Sequence, residues 1–396
     1  MDTPGQGSLS INDILKTSTE RRASDVHIKV GSPPVLRIDG KLTPMLEQKR
    51  LTQEDVVKLA FSMMNQGQRE KFKAKNESDF AYGVPGLGRF RVNVFMQRGT
   101  VGIVMRAIPT KVASIEELTL PPVITKLAQE PRGMILVTGT TGSGKSTTLA
   151  SMIDYINMTR TEHIMTIEDP IEYLHRDKKA LVNQREVGMD TESFPLALRS
   201  ALRQDPDIIL VGEMRDYDTI STALTASETG HLVLSTLHTV DAVETINRII
   251  SVFPPYQQKQ VRLQLAAVLR GVVSQRLVPR ADGNGRVPAC EILVVTGTIR
   301  ECIIDPDKTR HIHDVIAAGG SQYGMQTFDQ SLYGLYKAGL VTYEEALRRS
   351  SNPDDFALRI RGITSTSDET WDNATESSGP AGKPGDPGFK IDRLGE

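Results

Sequence analysis

The residues with the clearest chemical meaning run from Gly139 to Thr148, "GTTGSGKSTT". Gly139, Gly144, Lys145 and Ser146 satisfy G-x-x-x-x-G-K-[ST], a phosphate-binding loop. An apolar run, "MILVT", precedes it, and "LASMIDYIN" follows. Glycines let the backbone curl so that the N–H groups of Gly139, Thr140, Thr141, Gly142, Ser143, Gly144 and Thr147 face phosphate oxygens. The start of the following helix adds its dipole. Lys145 would bring a positive charge to the β- and γ-phosphates, and Ser146 a hydroxyl to Mg²⁺. The competing explanation is a glycine-rich turn before a helix. Four matching positions with both flanks correct weigh against it. No guanine-reading NKxD pattern occurs, so the expected nucleotide is ATP.

Hydrolysis needs carboxylates. "DIILVGEMRD" ends an apolar run on Glu213, and in such sheets ligands bind beyond the C-terminal ends of strands. Glu213 is therefore expected near the metal, directly or through a water. "TIEDPIEY" ends another run with Glu168, Asp169 and Glu172. Clustered acids repel unless a cation compensates, and Mg²⁺ with ATP is one compensator, which makes Glu168 a metal candidate. Glu172 is the candidate to orient or deprotonate the attacking water. Asp169 has an alternative as a helix N-terminal acid. "TGHLVLSTLHT" starts on His231 and ends near His238. His238 falls on the expected nucleotide edge, where it could sense the γ-phosphate. His27, His311 and His313 read as structural. Arg89, Arg91, Arg98, Arg106, Arg199 and Arg203 are candidates to neutralise charge on the nucleotide, some from a neighbouring subunit. Exposed strand arginines are an equally good reading of each alone.

The elements that must hold these groups fall into two patterns. Residues 9–20 have helical spacing, "SDVHIKV" alternates as a half-buried strand, and "VLRIDGKL" reads as a hairpin turning at Asp39-Gly40. Thr52 and Asp55 form an approximate capping box for the helix "DVVKLAFSMM". "SDFAYGV" and "GRFRVNVFMQRGTVGIVMRAI" resume the strand pattern, with a turn near Gln97–Thr100. Residues 1–109 thus read as a small α+β domain. "PTKVASIEEL" reads as a linker, 110–118, that closes on a helix start. Beyond it, "MILVTG", "HIMTIED", "DIILVGE", "HLVLSTLH" and "CEILVVT" alternate with helices, the pattern of a mostly parallel sheet covered on both faces. Residues 119–363 form this second domain, with a helical region over 309–350. The tail, 364–396, is rich in Ser, Gly, Pro and acid and is expected to be disordered.

Composition narrows the function. The 396 residues are 39% hydrophobic and 24% charged, as in a soluble globular protein. The net charge of -2 gives no support for a generic nucleic-acid binder. Cys290 and Cys302 have neither zinc-ribbon spacing nor a partner framework, and read as reduced thiols of a cytoplasmic protein. The N-terminus lacks the features of a signal peptide, and no apolar run reaches the ~20 residues of a membrane helix. Any membrane association is expected to go through partners.

Taken together, these boxes resemble the type IV pilus retraction ATPases of the bacterial secretion ATPase superfamily. The resemblance runs from about Ile11 to Ile363 and includes "ASDVHIKVGSPPVLRIDGKL", "GTTGSGKSTT" as Walker A and "TIEDPIEY" as the aspartate box. "LRQDPDIILVGEMRD" matches Walker B and "TGHLVLSTLHT" the histidine box, and "YGMQTFDQSL" continues it. It implies an α/β fold, a RecA-like P-loop core preceded by an α+β PAS-like domain. It also implies a homo-hexameric ring that clamps ATP and Mg²⁺ between the two domains. Such a ring acts at the cytoplasmic face of the inner membrane, with a pilus platform protein, to power retraction. By the same resemblance Lys145 and Ser146 are the Walker A pair, Glu213 the Walker B acid, Glu172 the catalytic glutamate, and His231 and His238 the histidine box. The arginine matches, Arg98, Arg106 and Arg203, depend on ring geometry. The absence of a tetracysteine motif favours retraction over extension. "TIRECIID" matches the family's "AIRNLIRE" segment only in part. An accessory paralogue, a secretion or pilus assembly ATPase, and a RecA-like DNA motor remain as alternatives.

Overall fold

The computed structural model describes residues 10–361. The tail from 364 and the helical position expected at Leu9 lie outside the described residues. The described residues divide into two compact units, 10–114 with Leu149–Ser235, and Ile115–Thr148 with 236–361.

In the first unit, six strands form an antiparallel sheet: β1 (Asp25–Lys29), β2 (Val35–Ile38), β3 (Lys41–Pro44), β4 (Glu77–Val84), β5 (Gly88–Gln97) and β6 (Thr100–Ile108), in the order β3-β2-β1-β6-β5-β4. Period-two patterning explains it. Along β5, Phe90, Val92 and Val94 are buried while Arg91 between them is exposed. Two hairpins turn on two residues with positive φ, Asp39-Gly40 (47° and 78°) and Arg98-Gly99 (48° and 76°). That geometry matches the twist of the flanking strands. The helix Ile11–Glu20 is capped by Ser10, and the helix Gln53–Met63 has both halves of the Thr52–Asp55 capping box. A further helix, Gln66–Lys75, has its own box from Asn65 and Gln68. Its low apolar content hid it from the sequence reading, and only Phe72 is buried.

The second sheet has seven strands: β7 (Gly133–Thr138), β8 (His163–Glu168), β9 (Leu181–Glu186), β10 (Ile208–Val211), β11 (Leu232–Leu237), β12 (Leu269–Pro279) and β13 (Arg286–Val294). Their order is β13-β12-β7-β11-β10-β8-β9. Every residue of β7, β10 and β11 is buried, which explains their unbroken apolar runs. The strands β8, β9 and β10 pair in parallel. "CEILVVT", expected among the parallel strands, instead runs antiparallel to β12. β12 and β9 were not foreseen, because Arg270, Ser274, Gln275 and Arg276 interrupt the one and polar residues dominate the other. The linker does not close on a helix. Residues 115–119 form turns, and the next helix, Val123–Ala128, starts after Pro121-Pro122. A proline disfavours helical geometry in the residue before it, which delays the start.

In the second unit, the helices Phe328–Lys337, Tyr343–Arg349 and Pro353–Ile360 carry the helical region past 350. They close a small core in which Leu332, Val341 and Phe356 pack on Val278 and Val287 of the β12–β13 pair. Cys290 and Cys302 are buried and free. Among the described residues, no helix is long and apolar enough to cross a membrane.

Candidate nucleotide site

The phosphate loop leaves the end of β7 and enters the helix Lys145–Thr159. Gly139 has φ 140°, and a Cβ there would lie 2.5 Å from both the Gln275 carbonyl oxygen and Ser143 Oγ. The loop therefore rests directly on β12, and only glycine fits that approach. Lys145 is 9% exposed. Its Nζ donates to the carbonyls of Gly139 (2.8 Å) and Thr140 (3.1 Å). Thr140, Thr141, Gly142 and Ser146 are exposed, while Ser143 is buried. Beneath the loop lies a polar layer. Thr138 Oγ1 donates to Ser274 Oγ (3.0 Å), and Gln275 Nε2 donates to Thr148 Oγ1 (2.9 Å). Ser143 Oγ and Gln275 Oε1 are buried without a hydrogen-bond partner among the described residues.

The carboxylates gather at two adjacent strand ends. Ile167 of β8 pairs with Val211 of β10, and Gly212 N donates to the Ile167 carbonyl at 2.8 Å. A Cβ on Gly212 would lie 3.3 Å from Glu168 Cα, so Glu168 and the chain leading to Glu213 are neighbours. Glu168 accepts from Thr166 Oγ1 (2.6 Å), Gln184 Nε2 (3.1 Å) and the Glu172 backbone N–H (3.4 Å). Enclosure of its carboxyl raises its pKa. The three hydrogen bonds oppose that shift, and the Glu172 charge adds to it. Glu172 itself is exposed, in a segment without helix, so Asp169 is not a helix N-terminal acid. Glu213 is gripped by Arg215 two residues later, with Nη2 to Oε2 at 2.6 Å and Nε to Oε1 closing the fork. Any metal contact through Glu213 must open or share this pair. Among the described residues, no group of three or more His, Cys, Asp or Glu is placed to hold a metal by itself.

A family model described as "Type II/IV secretion system protein" matches residues 7–319, which take in the phosphate loop, both carboxylate boxes and the histidine box. The chain belongs to this family. Over 352 residues it is 49% identical to the type IV pilus retractation ATPase PilT of Pseudomonas aeruginosa, covering 88% of this chain and 100% of that one. It is 46% identical over 351 residues to the twitching motility protein of Neisseria gonorrhoeae, covering 89% and 93%. A crystal structure of the pilus retraction motor PilT with bound ADP superposes with a TM-score of 0.81 at 50% identity, covering 88% of this chain and 98% of that one. Within its family, then, this chain stands with the type IV pilus retraction ATPases.

The remaining candidate residues of this secretion-family chain are dispersed. His231 and His238 flank the two ends of β11, roughly 23 Å apart at strand rise. His231 Nδ1 lies 2.9 Å from the Ala226 carbonyl and 3.2 Å from Thr229 Oγ1, at the end of the helix Tyr217–Glu228. His238 is exposed just past the C-terminal end of the strand. Arg106 donates from Nε to Asp25 Oδ1 at 2.8 Å. Burial works to raise the Asp25 pKa, but hydrogen bonds from Ser24 and Arg106 outweigh it and hold the carboxyl below its usual value. Arg98 is exposed in its hairpin turn, and Arg203 is exposed beyond the helix Phe194–Ala201. Arg199 lies 3.6 Å from Asp218, and Arg89 donates to Glu186 of β9 at 3.2 Å.

Arg215, Glu186, Gln184 and the β12 pair Ser274–Gln275 escaped the sequence reading. The one available signal was polar residues inside the apolar stretch "RGVVSQRLV". Buried polar groups in a strand need partners, and here the partners are next to the phosphate loop.

Proposed function

We propose that this chain is an ATP-hydrolysing motor that powers retraction of a type IV pilus, working as a homo-hexamer. It acts at the cytoplasmic face of the inner membrane, together with the pilus platform protein. The observation that carries this reading is the 49% identity sustained over the whole length of a pilus retraction ATPase. The intact phosphate loop and the carboxylate boxes supply its chemistry.

On this reading the N–H groups of residues 139–147 bind the phosphates. Lys145 exchanges its loop carbonyls for β- and γ-phosphate oxygens. Glu172, exposed and adjoining Glu168, orients the attacking water and accepts its proton. His238 senses the γ-phosphate. The hydroxyl of Ser146 and the carboxylates of Glu213 and Glu168 are hard oxygen donors that suit Mg²⁺, which when bound would neutralise charge on the phosphates. Arg98, Arg106 and Arg203 are candidates to reach a nucleotide across a subunit boundary. Of these, Arg106 would first have to leave Asp25. Residues 1–109 and 119–363, joined by 110–118, would be the bodies that move as the nucleotide is turned over.

The test is ATP hydrolysis by the purified protein. Lys145→Ala should remove nucleotide binding, and Glu172→Gln should lower kcat by at least ~100-fold while ATP still binds. Full activity in both variants would overturn the assignment. Cells without the gene should remain piliated but stop twitching. Bald cells would instead indicate an assembly motor.

A further inference from the structure

The histidine box ends on His238, and the chain then runs through Thr239, Val240 and Asp241 into the helix Ala242–Ser251. This short connection is bound to the first turn of that helix. Thr239 Oγ1 and Thr245 Oγ1 are 2.6 Å apart, and Thr245 Oγ1 donates to the Asp241 carbonyl at 2.6 Å. Val240 N–H donates to Glu244 Oε2 (2.8 Å), while Asp241 caps Glu244 N–H (2.7 Å). The segment that follows His238 is thereby bound to the helix start.

What ties the helix start to the sheet is an acid. Glu291 of β13 is 4% exposed, and its Oε1 accepts from Ala242 N–H at 2.8 Å. An acceptor at a helix N-terminus satisfies one of the N–H groups left without an intrahelical partner there. Glu291 pairs in register with Ser274 of β12, and Ser274 pairs with Thr138 of β7. Paired residues share a face of the sheet, so the three side chains form one row. The row begins at Thr138, immediately before the loop glycine Gly139, with the Thr138–Ser274 hydroxyl bond, and ends at the helix that follows His238. Burying a carboxyl is costly unless it is engaged. Burial does push the Glu291 pKa up to about 7, against the bond from Ala242 and with Asp241, Arg276 and Asp329 as the charged neighbours.

We propose that Glu291 is a positioning residue for His238, holding the helix after the histidine box in fixed register with the strand that launches the phosphate loop. This rests on the reading of His238 as the γ-phosphate sensor. Glu291 touches no substrate in this scheme and acts only through the helix.

The test combines exchange and kinetics on the full chain. In Glu291→Ala, amide hydrogen exchange over residues 239–246 should accelerate at least tenfold, and Glu291→Gln, whose amide oxygen can still accept from Ala242, should restore protection. In ATP hydrolysis Glu291→Ala should lower kcat about tenfold with KM within twofold, and Glu291→Gln should recover to within threefold. In a His238→Ala background, Glu291→Ala should cost less than a further twofold. Unchanged exchange in Glu291→Ala overturns the proposal. So does an equal kcat loss with and without His238, or a Gln variant no better than Ala. A wild-type chain that hydrolyses no ATP would defeat the motor reading instead, and the exchange data would still decide the role of Glu291.

Discussion

Lys145 and Glu213, the proposed phosphate-binding lysine and metal-binding acid, are held in opposite ways. Lys145 is 9% exposed and bound by carbonyls of its own loop, which rests on the backbone of β12. Glu213 is met by the side chain of Arg215, which is 76% exposed. The loop is a backbone object, shaped by glycine geometry and by what lies beneath it. The carboxylate cluster is a side-chain object, whose partners can be exchanged without moving a strand. Small changes under the loop should therefore cost more than larger changes around the acids.

The sharpest way to break that contrast is Gly139→Ala. Its Cβ would meet two atoms at 2.5 Å in a left-handed conformation, so ATP binding should become undetectable by calorimetry. Gly142→Ala is its control. It also has positive φ but meets no atom within 4 Å, and should cost only about 1 kcal/mol and a few-fold in affinity. Equal effects of the two would show that the contact with β12 is unimportant.

Next in size is the pH dependence from Glu291. Its pKa is raised to about 7 in the folded chain, so its contribution to stability is complete below pH ~4.5 and is lost as pH rises through about 7. Urea unfolding should show this part of the stability falling by up to about 3 kcal/mol across that window, and Glu291→Gln should remove the slope. A smaller loss is expected for Arg89→Ala, which leaves the buried Glu186 without its 3.2 Å partner. Thermal melting should report about 1–2 kcal/mol. The smallest effect is expected for Arg215→Ala. An exposed pair adds less than about 1 kcal/mol to stability, but removing the Arg215 charge beside Glu213 should lower the half-saturating Mg²⁺ in ATP hydrolysis roughly threefold. A large fall in melting temperature in that variant would mean the acid cluster is as rigid as the loop.

Much of the fold was legible because its determinants are local. Asp39-Gly40 as a hairpin turn and Thr52–Asp55 as a cap depend on residues no more than three apart. The buried strands β7, β10 and β11 announced themselves as unbroken apolar runs. β9 and β12 did not, since an edge strand needs few apolar residues and a strand that carries a polar layer has its run interrupted. "CEILVVT" showed a strand but not its direction, because an apolar run looks the same in either sense.

The candidate site divides along the same line. The phosphate loop was visible in the sequence because eight consecutive positions specify it and the donors are its own backbone. The boxes of acids and histidines were visible because each sits at the end of an apolar run. Pairing in space was not visible. Arg106 with Asp25, Gln275 with Thr148, and Glu291 with the start of the helix at Ala242 follow from strand register and side-chain direction. Those are set by contacts between segments far apart in the chain, 127 residues for Thr148 and Gln275. The sequence by itself determined which chemistry this protein carries, because that chemistry resides in short contiguous motifs. Which charges are held, by what, and how firmly was decided only when packing brought distant strands into register.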